Sequence, residues 1–245
     1  MRISLPLALS ALALLAVAAP ASAQATFGVK LGVNAATVSI EDEDILIDDL
    51  IEEAGPGFDF DKRSRLGFVG GLTADIPVSA AFSFRPEILY TQKGYAFETT
   101  IEGDVFEGEV VEDFNGTQTF EIDYVEVPLL VAYRFPLQSA LDVALEVGPT
   151  LAYKLTTGSG CSGDYEDLVD AGCDGDGDDD AVEDFDLGGA IGVTIGSGPF
   201  GVGLRYTGGF LSIANDEFAG DDDPSIRNQV FTVTAHYRFG AGGLR

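Results

Sequence analysis

From residue 27 onward, apolar and polar side chains alternate with a period of two in eight segments. That is the pattern of strands whose two faces meet different surroundings. The first segment sets Phe27, Val29, Leu31 and Val33 against Gly28, Lys30, Gly32 and Asn34. The third sets Phe82, Phe84, Pro86, Ile88 and Tyr90 against Ser83, Arg85, Glu87 and Thr91, and the eighth sets Phe231, Val233, Ala235, Tyr237 and Phe239 against Thr232, Thr234, His236 and Arg238. The other five run over 66–76, 125–135, 143–154, 185–195 and 200–207. Each apolar core is about 10 residues long, the length of a tilted strand that crosses hydrocarbon.

The connections between the segments alternate in length. Those at 77–80, 136–140 and 196–199 are short turns, and the four others are long windows at about 38–65, 98–118, 156–184 and 213–226. Short turns on one side and long loops on the other are the habit of bacterial outer-membrane barrels, which also have an even strand number. The expected fold is therefore all-β: an eight-stranded antiparallel up-and-down transmembrane β-barrel over 24–240, with four extracellular loops and both termini on the periplasmic side. Residues 1–23 read as a signal peptide, with Arg2, an apolar run from Leu5 to Ala19 and Ala21-Ser22-Ala23 before the cleavage point. Residues 241–245 form a short Gly-rich tail.

The polar faces distinguish a membrane barrel from a soluble one, in which the charged face would meet water. The inward set is Lys30, Arg85, Arg134, Lys154, Arg205 and Arg238 against Asp75, Glu87, Glu126, Asp142, Glu146 and Asp186, six of each sign. A balanced set of this kind suits mutual pairing inside a narrow lumen. The opposite face is bulky and nearly uncharged. Phe27, Phe82, Phe135, Phe200, Tyr237 and Phe239 fall near the turn ends, and Tyr90, Tyr153, Phe185 and Tyr206 near the loop ends. Two aromatic belts are the expected anchors at two membrane interfaces. The partner implied is outer-membrane lipid.

Composition sharpens the loops more than the strands. Of 41 acidic residues, 33 fall in the four long windows, which contain only three basic residues, Lys62, Arg63 and Arg65. Such a surface repels phosphate, so a nucleic-acid partner is not expected. High charge of one sign also suits solubility in strong brine. Cys161 and Cys173 sit in the third window of an exported chain, where a loop disulfide is the ordinary outcome. In the same window Asp174, Asp176, Asp178 and Asp180 alternate as calcium ligands do. The motif lacks the Gly and the closing Glu of an EF-hand, because Asp179 and Phe185 stand there instead. The expectation is no cofactor, with weak Ca²⁺ binding at those aspartates as the alternative to a solvated loop. Ile47, Leu50, Ile51 and Ala54 recur at helical spacing in the first window, which predicts a short amphipathic helix there.

Candidate chemistry is sparse. His236, the only histidine, faces the lumen on the eighth segment. A general base needs a partner, and no second histidine exists to help form a site. The lumen residues Lys30, Arg85, Glu87, Glu126, Arg134, Glu146, Lys154, Arg205 and Arg238 are expected to pair as a structural plug, because an eight-stranded interior is just wide enough for side chains.

The strand cores GFVGGLTADIPVSAAFSFRPEILYTQKGYAF (67–97), IDYVEVPLLVAYRF (122–135) and LEVGPTLAYKL (145–155) resemble the PorT-like outer-membrane β-barrel family. So do GVGLRYTGGFLSIAN (201–215) and VFTVTAHYRF (230–239). The resemblance implies the barrel and the outer membrane as location, and it brings no catalytic motif to map. The expected function is a non-enzymatic structural or surface-binding role, with a surface or periplasmic protein as possible partner. A narrow transporter or secretion accessory and a lipid-modifying enzyme are the alternatives.

Overall fold

A computed structural model describes residues 25–40, 58–101, 105–106, 109–110, 113–137, 140–164, 175–176, 182–214 and 225–239. The expected signal peptide, the helix around 47–54 and the tail at 241–245 lie outside these residues. Eight long strands make the wall: β1 (Thr26–Ile40), β2 (Phe58–Pro77), β3 (Phe82–Ile101), β4 (Phe114–Arg134), β5 (Asp142–Gly163), β6 (Phe185–Ser197), β7 (Phe200–Gly209) and β8 (Ile226–Arg238). Each pairs antiparallel with its neighbours in the chain. The last pairs with the first, from Gly28 opposite Arg238 to Ile40 opposite Ile226. The sheet is a closed ring, and the fold is an eight-stranded up-and-down barrel. Closure gives every strand two partners, which is the condition for a sheet to stand in hydrocarbon.

The period-two pattern sorts the side chains inside out relative to a soluble protein. Leu31, Leu72, Leu204 and Val233 point outward and are 55–61 % exposed, while Lys30, Glu87 and Glu146 point inward and are 2–4 % exposed. Aromatic rings pair across neighbouring strands on the outer face. Phe82 with Tyr133 and Phe200 with Tyr237 lie near the turn ends, with ring centres 5.2 and 5.1 Å apart. Tyr153 with Phe185 and Tyr206 with Phe231 lie near the loop ends, at 5.2 and 4.9 Å. Tyr133 and Phe231 thus join the two expected belts.

The turns between β2 and β3 and between β6 and β7 are tight. Val78 N and Ser79 N donate to Phe82 O, and Ser79 Oγ accepts from Phe82 N, which closes the first. Gly198 takes φ +59° in the second, a conformation open to glycine at no steric cost.

The acidic windows are not loop throughout. β2 to β5 run for 20, 20, 21 and 22 residues, whereas β6 to β8 run for 13, 10 and 13. The strand ends therefore reach into the windows at 38–65, 98–118 and 156–184, which are shorter as connections than their acidity suggested. The physical reason is composition: Tyr95, Phe97, Thr99, Thr117, Thr119 and Phe120 favour a pleated surface even beside Glu98 and Glu121. A four-stranded sheet thus continues past the loop-end belt on one side of the barrel. At its base Gly94 has φ +135°, and a Cβ there would lie 2.0 Å from Phe120 O.

Inside the loop end a small apolar core replaces charge. Val38, Ile122, Tyr124, Ala152 and Ile213 pack together, with Ile40, Tyr95, Val182 and Ile226 around them. Ile213 belongs to no strand. Its N–H donates to Ile226 O and its carbonyl accepts from Glu183 N, which pins this segment across the mouth.

Gly94→Ala should destabilise the barrel by more than about 1 kcal/mol, because alanine tolerates neither the positive φ nor the contact with the Phe120 carbonyl. Reversible urea unfolding of the refolded barrel measures this, and Gly198→Ala should cost less because a Cβ there meets nothing within 4 Å.

Candidate functional site: the charged lumen

Alternation along β1, β3, β5 and β7 aims Lys30, Arg85, Glu87, Glu146 and Arg205 at one level of the barrel interior. They form a single cluster. Arg205 spans Glu87 with two bonds, Nη1 to Oε2 at 2.8 Å and Nη2 to Oε1 at 3.0 Å, and Nη2 also reaches Glu146 Oε2 at 3.1 Å. Lys30 donates to Glu87 Oε1, the oxygen that Arg205 Nη2 also reaches. Arg85 donates from Nη1 to Glu146 Oε1 at 2.5 Å and from Nε to Asp75 Oδ2 at 2.8 Å. Arg134 closes the chain of pairs at Asp75, 2.6 Å away. The fork of a guanidinium fits two carboxylate oxygens, so arginine holds such a centre more rigidly than lysine could.

A second cluster lies nearer the loop end. Lys93 Nζ is 2.8 Å from Glu126 Oε2 and 3.4 Å from Asp186 Oδ2, and it sits 4.9 Å above the Tyr124 ring. Asn228 Nδ2 donates to Asp186 Oδ2 at 2.8 Å. Sequence reasoning did not include Lys93 in the lumen set, because the third segment was ended at Thr91. Extending its inward run of Arg85, Glu87, Leu89 and Thr91 by one step reaches Lys93.

The remaining expected lumen residues lie toward the two ends, and Arg238 meets the first cluster only through Asp142, 3.9 Å from Arg134 Nε. Lys154 donates to Val182 O at 2.5 Å near the loop end, and its carboxylate neighbour is the exposed Asp184 at 3.5 Å. Arg238 pairs with Asp142 at 3.2 Å near the turn end and also donates to Gly198 O. His236 is half-buried there. Its ring lies against Gly201, where a Cβ would come within 2.4 Å of it, and Nδ1 has no hydrogen-bond partner among the described residues.

The third-window expectations fall largely outside the description. Cys161 lies on β5 opposite Gln118, while Cys173 is outside the described residues. Asp176 pairs through its backbone with Gly158, and Asp174, Asp178 and Asp180 are outside the described residues as well.

Among the described residues, the packed lumen contains small chambers, of which two are well defined. One, of about 30 Å³, lies toward the turn end and is bordered by Glu87, Glu146, Asp75 and His236. The other, of about 20 Å³, lies between the two clusters. A water needs roughly 10–15 Å³ of such space, so each has room for one or two at most. The ion pairs separate the chambers, and the Val38–Ile213 core covers the second from the loop side.

An apolar belt outside, paired charges inside and a closed ring of eight strands define a transmembrane β-barrel. Residues 20–215 match the family described as outer membrane protein beta-barrel domain, and the chain belongs to that family. A search of curated proteins finds no match. Solved structures similar to this chain include Neisserial surface protein A, at 12 % identity over 88 % of this chain and 99 % of that one, with a TM-score of 0.44. Ail, the attachment invasion locus protein of Yersinia pestis, solved with the heparin analogue sucrose octasulfate, has 13 % identity over 88 % and 99 %, with a TM-score of 0.36. OprG of Pseudomonas aeruginosa has 12 % identity over 89 % and 97 %, with a TM-score of 0.37. The protein is a resident of the cell outer membrane.

Leu129→Arg and Leu204→Arg should each cost about 2–4 kcal/mol in a bilayer, since both place a cation near the lipid midplane. Asp59→Arg, exposed beyond the loop-end belt, should stay within about 0.5 kcal/mol of the parent. Urea unfolding in phospholipid vesicles compares them, and equal tolerance at all three sites would remove the apolar face from the lipid.

Proposed function

We propose that this chain is a non-conducting, non-enzymatic barrel that acts in the outer membrane as a structural or surface-binding protein. The observation that carries the proposal is the lumen itself, in which buried ion pairs span from β1 to β7 and an apolar core covers the loop-side mouth. A solute on its way through would have to separate Arg205 from Glu87 and Glu146, and breaking such pairs in a water-poor interior costs several kcal/mol.

The non-enzymatic part rests on His236, whose Nδ1 lacks the orienting contact that a histidine base requires. The surface-binding part rests on the sheet of β2 to β5, which carries Arg63, Glu98 and Glu121 past the belt into the exterior. A protein partner at the cell surface would meet that charged sheet first. Within the family, the strand cores at 67–97 and 122–135 favour the PorT-like members, whose shared property is the barrel.

Reconstituted into planar bilayers, the full-length barrel should give no defined conductance steps. Regular, voltage-independent openings would contradict the proposal. Sidedness is read from single cysteines placed on a Cys161→Ser, Cys173→Ser background. An impermeant thiol reagent on intact cells should label Asp164→Cys and leave Ser79→Cys unmodified. Labelling of Ser79→Cys alone would invert the assignment of exterior and periplasm.

A further inference from the structure

We propose that segment 210–214 is a movable plug, which opens the loop-side half of the lumen to the exterior while the ion pairs keep the middle closed. This goes beyond the non-conducting role, and its test needs no conductance. The apolar core at the mouth shows what would move. Val38, Ile122, Tyr124 and Ala152 stand on β1, β4 and β5, whereas Ile213 comes from a connection. Lifting the segment therefore gives up the contacts of one side chain in that core and leaves the other four in the wall. Beyond Phe210, which still bonds Leu187 O, the ties are local. Ile213 N donates to Ile226 O and Glu183 N donates to Ile213 O, both at 2.8 Å, and Ala214 bridges to Val182. Ser212 Oγ accepts from Ile226 N at 3.2 Å and from Ala214 N at 3.3 Å, so one hydroxyl staples the closed form.

The root of the segment and the groups beneath it favour opening. At the root, Gly208 faces Gly189 and Gly209 faces Gly188. Paired glycines bring no side chains to pack across the ladder, which weakens the strand there. Asp186 is the cross-strand neighbour of Ala152, and Asn228 that of Val38, so both flank the core. They are 4 % and 2 % exposed, and each keeps its Oδ1 without a hydrogen-bond partner among the described residues. Asp186 Oδ1 lies at the root itself, 3.2 Å from the place that a Cβ on Gly209 would take. A buried acceptor without a partner raises the energy of the closed form, and water entering past a lifted segment satisfies it. An all-apolar cover would gain nothing in this way. Opening of this kind draws on the least stable part of a fold and leaves the rest intact.

The test measures how fast a small charged thiol reagent reaches a buried cysteine in the full barrel, on the Cys161→Ser, Cys173→Ser background. Val38→Cys places the thiol under Ile213, and Ala144→Cys places one in the lumen toward the turn end, each at a position 1 % exposed. Removing the staple with Ser212→Ala should speed labelling of Val38→Cys severalfold and leave that of Ala144→Cys unchanged. Ser212→Thr keeps the hydroxyl and should label Val38→Cys at the parent rate. Without any added cysteine, Ser212→Ala should also speed hydrogen exchange at the Ile213 and Glu183 amides, with no change in the middle of β1 and β8. Equal acceleration at both cysteines would mean that the whole barrel loosens, which overturns the proposal. So does a Val38→Cys thiol that stays unreactive, or one whose rate Ser212→Ala does not alter.

Discussion

A charge placed inside a narrow barrel has little water to solvate it, and it must meet a counter-charge or forfeit several kcal/mol. That requirement organises this protein. The outward faces of its strands need only be apolar and of suitable length, and many sequences would meet that condition. The inward faces must bring residues far apart in sequence to bonding distance. Arg205 and Glu87 are 118 positions apart, yet their bidentate contact fixes how β7 stands relative to β3 across the lumen. Arg85, bonded to Asp75 and Glu146 at once, ties β2, β3 and β5 in the same way. Registers set by backbone pairing around the wall and distances set by ion pairs across it must agree, and a slip of one residue would expose every lumen charge to lipid.

The two ends of the barrel are finished by different physics. At the turn end, Arg238 with Asp142 and Arg134 with Asp75 remain partly hydrated, and a small polar chamber adjoins them. At the loop end the charges give way to Val38, Ile122, Tyr124, Ala152 and Ile213. Apolar packing there needs no partner geometry, so residues from a connection can serve where strand register no longer dictates position. The wall is also uneven. β2 to β5 continue as paired strands beyond the belt, while β6 to β8 stop near it, so among the described residues the strands that reach outside lie mainly on one side.

Much of this was legible in the sequence because a strand repeats every two residues and the membrane makes the two faces opposites. Lys30, Arg85, Glu87, Glu146 and Arg205 could be assigned to the lumen from alternation alone. Their partners could not, because pairing across a barrel depends on shear and radius, which no local pattern states. Lys93 lies one inward step beyond Thr91, where Gly94 interrupts the plain alternation of the third segment. The alternation in Tyr95, Phe97 and Thr99 nevertheless continues, and β2 to β5 extend past the segments that the sequence predicts. Ile213 left no signal of its own, since an isoleucine in a connection has no period to betray it. The loop disulfide and the aspartate series from Asp174 lie mostly outside the described residues, and they stand as the sequence left them.

The account rests on the lumen pairs being coupled, so the most direct measurement is a double-mutant cycle at its centre. Glu87→Gln alone should cost about 3–5 kcal/mol, because Lys30 and Arg205 lose their shared carboxylate. Arg205→Met alone should also be strongly destabilising, since it leaves Glu87 with Lys30 only and Glu146 with Arg85 only. Measured by urea unfolding in vesicles, Glu87→Gln with Arg205→Met should be less destabilised than the sum of the two, with a coupling of about 1.5 kcal/mol or more. Strict additivity, with each single variant near the parent, would show that water screens the lumen and that the ion pairs do not hold the barrel together.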